Sequence, residues 1–166
     1  MKHLIPELEA LKRRLPPDQD GVLVLPALRR IQEDRGYIAD EDIDGLVEWL
    51  DIPRIQVEEI LSFYSMLRRA PVGSWHLQVC HNVSCSMHGA ERLLAHLEER
   101  LGIARGGTTA DGRFTLSTVE CLGACGVAPV VRVNEAYHEA LSIEAVDALL
   151  EELAASEPTA VPGGWV

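Results

Sequence analysis

The chain has 166 residues, 47% of them apolar, and carries 15 Lys plus Arg against 26 Asp plus Glu, a formal net charge of −11. That length suits one domain or two small ones with real cores, and no stretch approaches the ~20 apolar residues of a membrane span. The acidity excludes a nucleic-acid phosphate backbone as partner, because that affinity comes from cations that release counterions.

Met1-Lys-His-Leu-Ile-Pro-Glu-Leu-Glu at the start lacks the apolar core of a signal peptide and is too acidic for a transit peptide, so a cytoplasmic protein is expected. Leu4, Leu8, Leu11 and Leu15 recur at helical spacing until Pro16-Pro17. A second helix is predicted from between Val22 and Pro26 to Gly36, with Leu25, Leu28 and Ile31 on one face. Asp40 is the expected N-cap of a third, whose Ile43, Leu46, Val47 and Leu50 form an apolar stripe. Pro53 is expected to open a fourth, carrying Val57, Ile60, Leu61 and Tyr64.

Residues 1–67 therefore read as a small helical bundle. Helices three and four imitate a helix-turn-helix, but from Tyr37 to Leu67 eight acidic residues face Arg54 as the sole Lys or Arg, which would repel DNA. A bundle that docks a protein partner, or one that is purely structural, fits better. Residues 68–73 read as a linker, interrupted by Pro71 and Gly73.

Beyond the linker the period turns from helical to alternating. Trp75, Leu77 and Val79 mark one side of a strand ending at Cys80. Cys85 is expected in a loop. From Ser86 a helix is predicted, with Ala90, Leu93, Leu94, Leu97 and Leu101 facing a core and Gly102 closing it. Arg113 to Glu120 reads as a second strand, ending at Cys121. A third covers Val130 to Val133, Asn134 begins a turn, and a fourth is expected over Tyr137 to Leu141. Ser142 caps a final helix with Ile143, Val146, Leu149, Leu150 and Leu153 inward.

This β-α-β-β-β-α order over 74–155 resembles a thioredoxin-like fold in which the Cys121 to Cys125 loop replaces a helix. The fold class is thus α/β, an N-terminal helical bundle followed by a thioredoxin-like domain. Residues 156–166 read as a tail in which Trp165 is a candidate docking anchor. Pro129 sits where thioredoxin-like folds place a cis proline.

All four cysteines fall in two pairs, Cys80-His-Asn-Val-Ser-Cys85 and Cys121-Leu-Gly-Ala-Cys125. Parallel strands joined by a right-handed helical crossover deliver their following loops to one sheet edge, so the pairs are expected to face one another. In a reducing compartment such cysteines read as metal ligands before disulfides. The small residues of Leu122-Gly123-Ala124-Cys125-Gly126 allow backbone amides close to sulfur, and the amides of Ser86 to Gly89 are expected to supply further donors.

A four-thiolate 2Fe-2S centre is the main reading. An all-cysteine centre of this kind favours a low potential, with about −400 mV for plant-type ferredoxins as reference. A structural zinc site is the alternative, although its usual pairs are tighter knuckles. Dithiol redox chemistry wants Cys-x-x-Cys, which is absent, and a Rieske centre fails for want of a histidine in the second loop. His81 and His88 are expected to face solvent.

Cys80-x4-Cys85 with Gly89-Ala90, Cys121-Leu-Gly-Ala-Cys125 with Ala128-Pro129-Val130 and Val133-Asn134, and Phe63-Tyr64-Ser65-Met66 upstream together resemble the 24 kDa subunit family of NADH:quinone oxidoreductase, respiratory complex I. Related small subunits occur in NAD-dependent formate dehydrogenases and NAD-linked hydrogenases. The resemblance implies that Cys80, Cys85, Cys121 and Cys125 ligate one 2Fe-2S cluster. It implies an electron-transfer subunit that exchanges single electrons with FMN on an NADH-binding flavoprotein of the 51 kDa type. Such a subunit lies peripheral to the inner membrane within its complex and has no substrate site of its own. The sequence agrees in lacking a Gly-rich phosphate loop or Walker motif.

Overall fold

The computed structural model describes residues 2–16 and 19–157. Pro17 and residues 158–166, including Trp165 and most of the expected tail, lie outside the described residues. The chain divides into two compact units, one running to Pro71 and the other starting at Val72.

In the first unit, α1 (Ile5–Lys12), α2 (Val24–Arg35), α3 (Asp40–Leu50) and α4 (Arg54–Phe63) follow one another around a shared apolar core. Leu8, Leu28, Ile31, Ile43, Leu46 and Val57 are fully buried there, which is why the 3.6-residue stripe is so regular in the sequence. Gly36 ends α2 with φ 86°, a left-handed stop that a side chain would strain, and its N–H donates to the Gln32 carbonyl at 2.7 Å.

The start of α3 differs from expectation. Asp40 is the first helical residue and Ala39 the N-cap. Asp42, nearly buried, supplies the cap instead. Its Oδ2 accepts from the Ala39 N–H at 3.0 Å and from Arg35 Nη1 at 2.8 Å. Pro53 likewise precedes α4 as its N-cap rather than opening it.

Buried Gln32 shapes the chain after α4. Its Nε2 donates to the Met66 carbonyl at 3.0 Å and its Oε1 accepts from the Arg68 N–H at 2.7 Å. The turn so held leaves Phe63 80% and Met66 42% exposed. Arg54, the sole Lys or Arg of Tyr37 to Leu67, pairs with Asp40, Asp44 and Glu58, and Arg69 joins Asp40 and Glu58. The cations here serve intramolecular pairs, not a phosphate-binding face.

In the second unit a four-stranded sheet has the order β2-β1-β3-β4. Strand β1 (Trp75–Cys80) runs parallel to β2 (Phe114–Val119) from Trp75↔Phe114 to Cys80↔Val119. Strand β3 (Val131–Val133) is antiparallel to β1, and β4 (Ala136–His138) is antiparallel to β3. The last strand is shorter and earlier than the expected Tyr137 to Leu141, because Ala140 turns the chain with φ 49°. Segment 106–109 lies along β2: the Gly106 N–H donates to the Leu116 carbonyl, the Leu116 N–H to Gly107, and Thr108 bridges Thr115.

The crossover from β1 to β2 contains two helices, α5 (Val83–Met87) and α6 (Ala90–Leu101), where one was expected from Ser86. Gly89, at φ 92°, separates them. Leu93, Leu94 and Leu97 of α6 join Leu77, Val79 and Leu116 of the sheet in one core. The last helix, α7 (Ile143–Ala155), adds Val146, Leu150 and Leu153 and starts at Ser142, whose Oγ accepts from the Ala145 N–H at 3.2 Å. The Ala128–Pro129 peptide bond is cis.

A polar clasp joins α6 and α7. Asp147 Oδ1 receives His96 Nε2 at 2.8 Å and Arg100 Nε at 2.9 Å. The His96 hydrogen bond first, and the Arg100 charge with it, hold the Asp147 carboxyl below the usual range. A depressed carboxyl stabilises the fold above its unfolded-state pKa and loses that contribution as pH falls through its folded-state value. Asp147→Asn is therefore expected to lower the melting temperature at pH 7, with the gap to the parent closing once the solution is acidified below the ordinary carboxylate range. A gap that stays constant over that titration would refute the clasp.

Candidate metal centre

Each cysteine pair follows a strand end, as the crossover argument requires. Cys80 is the last residue of β1, with its N–H donating to the Val130 carbonyl at 3.1 Å. The next residue prolongs the parallel ladder, His81 N–H to Val119 carbonyl at 3.1 Å, so the chain after β1 and the chain after β2 leave the sheet side by side. Cys121 comes two residues after Val119 and Cys125 opens a short 3-10 turn, Cys125–Val127.

Cys85 lies in α5 rather than in a loop. Asn82 caps that helix, its Oδ1 accepting from the Val83 N–H at 2.8 Å, which folds the chain back one turn after β1 and lays Cys85 against Cys80. Both are 3% exposed, whereas Cys121 and Cys125 are exposed.

The sulfurs associate as two pairs. Burial foremost, then a hydrogen bond with Cys80, push the Cys85 thiol above its ordinary pKa, while the backbone amide of Val130 pulls the other way. The Cys125 thiol is raised chiefly by its hydrogen bond with Cys121, and the Cys80 sulfur is near enough to add to the effect. Among the described residues no three Cys, His, Asp or Glu side chains gather about a point that one ion would fill. A two-iron centre takes two thiolates on each iron, so the two sulfur pairs fit it.

Of the two stretches expected to donate to sulfur, the loop from Leu122 to Gly126 does so and the stretch from Ser86 to Gly89 does not. The Gly123 N–H reaches Cys121 Sγ at 3.4 Å, and φ 74° at Gly123 is the left-handed conformation that turns this amide inward. Val130 serves Cys85. The amides of Ser86, His88 and Gly89 instead bond the carbonyls of Asn82, Ser84 and Ser86 within or beside α5.

Three side-chain hydrogen bonds join the two loops. Ser84 Oγ donates to the Cys125 carbonyl at 2.9 Å, Asn82 Nδ2 to Glu120 Oε2 at 3.3 Å, and the Cys80 thiol to the Glu120 carbonyl at 3.1 Å. His81, half-buried, stands 3.6 Å from Glu120 Oε1, and exposed His88 bonds the Ser84 carbonyl at 2.7 Å. Sequence reasoning passed over Asn82, Ser84, Glu120 and Val130. An Asn two residues beyond a strand was an available helix-start signal; a lone Ser gave none.

Residues 8–154 match the family described as thioredoxin-like 2Fe-2S ferredoxin. The chain belongs to this family. Its relatives within the thioredoxin-like 2Fe-2S ferredoxins include an NADH-quinone oxidoreductase subunit of Rhizobium meliloti, 44% identical over 151 residues that cover 91% of this chain and 89% of the relative. An NADH-quinone oxidoreductase subunit of Thermus thermophilus is 40% identical over 151 residues, 90% of this chain and 83% of that one. Among solved structures, an NAD+-reducing NiFe hydrogenase in its H2-reduced state superposes with a TM-score of 0.69 at 24% identity. The match covers 81% of this chain but 22% of the hydrogenase chain, so the likeness is one of fold.

Proposed function

We propose that Cys80, Cys85, Cys121 and Cys125 hold one 2Fe-2S cluster and that the chain is an electron-transfer subunit of an NADH dehydrogenase of the NADH:quinone oxidoreductase type. The observation that carries this is the meeting of two sulfur pairs, one on each of two adjacent loops at one edge of the parallel strands. Family membership and the two oxidoreductase relatives, aligned over nine tenths of the chain, support it.

A 2Fe-2S cluster, when bound, takes up and returns one electron at a time. The chain's own residues supply the rest. Cys80 and Cys85 offer a buried pair of ligands, and Cys121 and Cys125 an exposed pair through which a partner's redox group approaches. The Gly123 and Val130 amides neutralise part of the thiolate charge. No nucleotide or substrate site is assigned to this chain. FMN and NADH belong to a partner flavoprotein of the 51 kDa type, and the helical first unit docks on it. The exposed Phe63 and Met66, fixed by Gln32, suit such an anchor. The complex holds the chain peripheral to the inner membrane; among the described residues no helix is long and apolar enough to cross one.

Anaerobic purification tests this reading. Iron and labile sulfide are expected in equal amounts, with an S = 1/2 signal on reduction and a flavoprotein in the same fractions. Zinc without iron or sulfide would mark a structural zinc-binding adaptor.

A further inference from the structure

We propose that Ser84 is a positioning residue for the cluster, its hydroxyl fixing the separation between the two cysteine pairs. The inference rests on the four-cysteine reading above and concerns a residue that is not itself a ligand.

The loop that carries Cys121 and Cys125 is anchored near its ends, at the Glu120 carbonyl by the Cys80 thiol at 3.1 Å and at the Val127 carbonyl by the Ala140 N–H at 2.8 Å. Its Gly123 N–H turns to Cys121 Sγ, and its Val127 N–H to the Ala124 carbonyl at 3.1 Å. Leu122 and Ala124 rest against the core without fixing direction, since apolar contact is not directional. The Ser84 hydroxyl adds a directed bond to the carbonyl of a ligand residue, Cys125, at 2.9 Å.

Ser84 is itself well placed to impose a distance. It precedes Cys85 in α5, whose start is fixed by the Asn82 cap, and its carbonyl accepts from the His88 N–H at 3.1 Å and from His88 Nδ1 at 2.7 Å. A serine that only helped its own helix would bond within that helix. This one crosses to the other loop, so the bond links the backbone beside one ligand to the backbone of another. The Asn82 to Glu120 bond, at 3.3 Å, is longer and attaches outside the second pair. Without the Ser84 bond the Cys125 backbone loses its directed tie to α5, and the stretch between the Glu120 and Val127 anchors is looser on the exposed side of the centre.

The test uses the full chain loaded with its cluster and compares the parent with Ser84→Ala, Ser84→Thr and Ser84→Val. The readouts are the rate at which visible absorbance bleaches in a chelator and the reduced S = 1/2 spectrum. Loss of one hydrogen bond is expected to speed bleaching about fivefold in Ser84→Ala and to shift the spectrum. Ser84→Thr keeps the hydroxyl and is expected to restore both, whereas Ser84→Val, of the same shape without it, is not. The threonine and valine pair carries the test even if the alanine variant does not fold. Bleaching of Ser84→Ala at the parent's rate, or equal rates for Thr and Val, would overturn the proposal alone. A parent chain without iron and sulfide would overturn it together with the four-cysteine reading.

Discussion

Cys85→Ala is expected to leave the purified chain with less than about a tenth of the parent's iron and labile sulfide, since metal affinity is carried by the deprotonated ligands themselves. The same loss is expected at Cys80, Cys121 and Cys125, but the four positions are not equivalent. Cys80 and Cys85 are 3% exposed, so nothing from solution can take the place of a deleted sulfur there. Cys121 and Cys125 face solvent. A small thiol added during reconstitution is therefore expected to recover part of the iron in Cys121→Ala and Cys125→Ala and none in Cys80→Ala or Cys85→Ala. Iron and sulfide assays on the four variants, with and without the thiol, read this directly. Full iron in Cys85→Ala would remove it from the ligand set, and equal rescue at all four would contradict the buried and exposed assignment.

Leu94→Ala is expected to destabilise the second unit by about 3–5 kcal/mol, the cost of emptying a fully packed leucine site. Leu94 is 0% exposed and belongs to the core formed by α6, α7 and the sheet. In a unit this small, a loss of that size corresponds to a fall of more than about 10 °C in melting temperature. Exposed Glu99, on the same helix, is the control, and Glu99→Ala should stay within about 0.5 kcal/mol of the parent. Thermal unfolding followed by circular dichroism compares them. Because α6 is the crossover that sets β1 beside β2, cluster loss in Leu94→Ala should follow the unfolding curve. A Leu94→Ala variant that melts with the parent would mean that α6 is not packed on the sheet.

The parts of the fold legible in the sequence are those with a strong repeating signal. The stripes of α2, α3, α6 and α7 and the alternation of β1 needed no tertiary information, and the two cysteine pairs at strand ends followed from the parallel crossover. Short elements were less legible. Helix α5 spans five residues, too few to express a helical period, so Cys85 read as a loop residue and the amides of Ser86 to Gly89 were wrongly counted among the donors to sulfur. Strand β4 was expected, but its three residues show too little alternation to set its bounds, which fall earlier than the expected Tyr137 to Leu141. At α3 the cap was misplaced because Asp42, reaching back from inside the helix, does the work expected of Asp40, and the Arg35 contact that orients it comes from the preceding helix, across the turn after Gly36. Ser84 was invisible because its significance lies wholly in a carbonyl some forty residues away.

The segment laid along β2 also governs how the molecule can meet other chains. An unpaired outer strand is a template on which foreign backbone can add. Gly106, Gly107 and Thr108 occupy that side of β2, and at the opposite margin β4 offers three residues between Glu135 and Glu139. Sheet extension is thereby discouraged at both margins. Neighbours must recognise this unit by its side chains, and the polypeptide, waiting for metal or for its assembly, is protected against stacking strand on strand into aggregates.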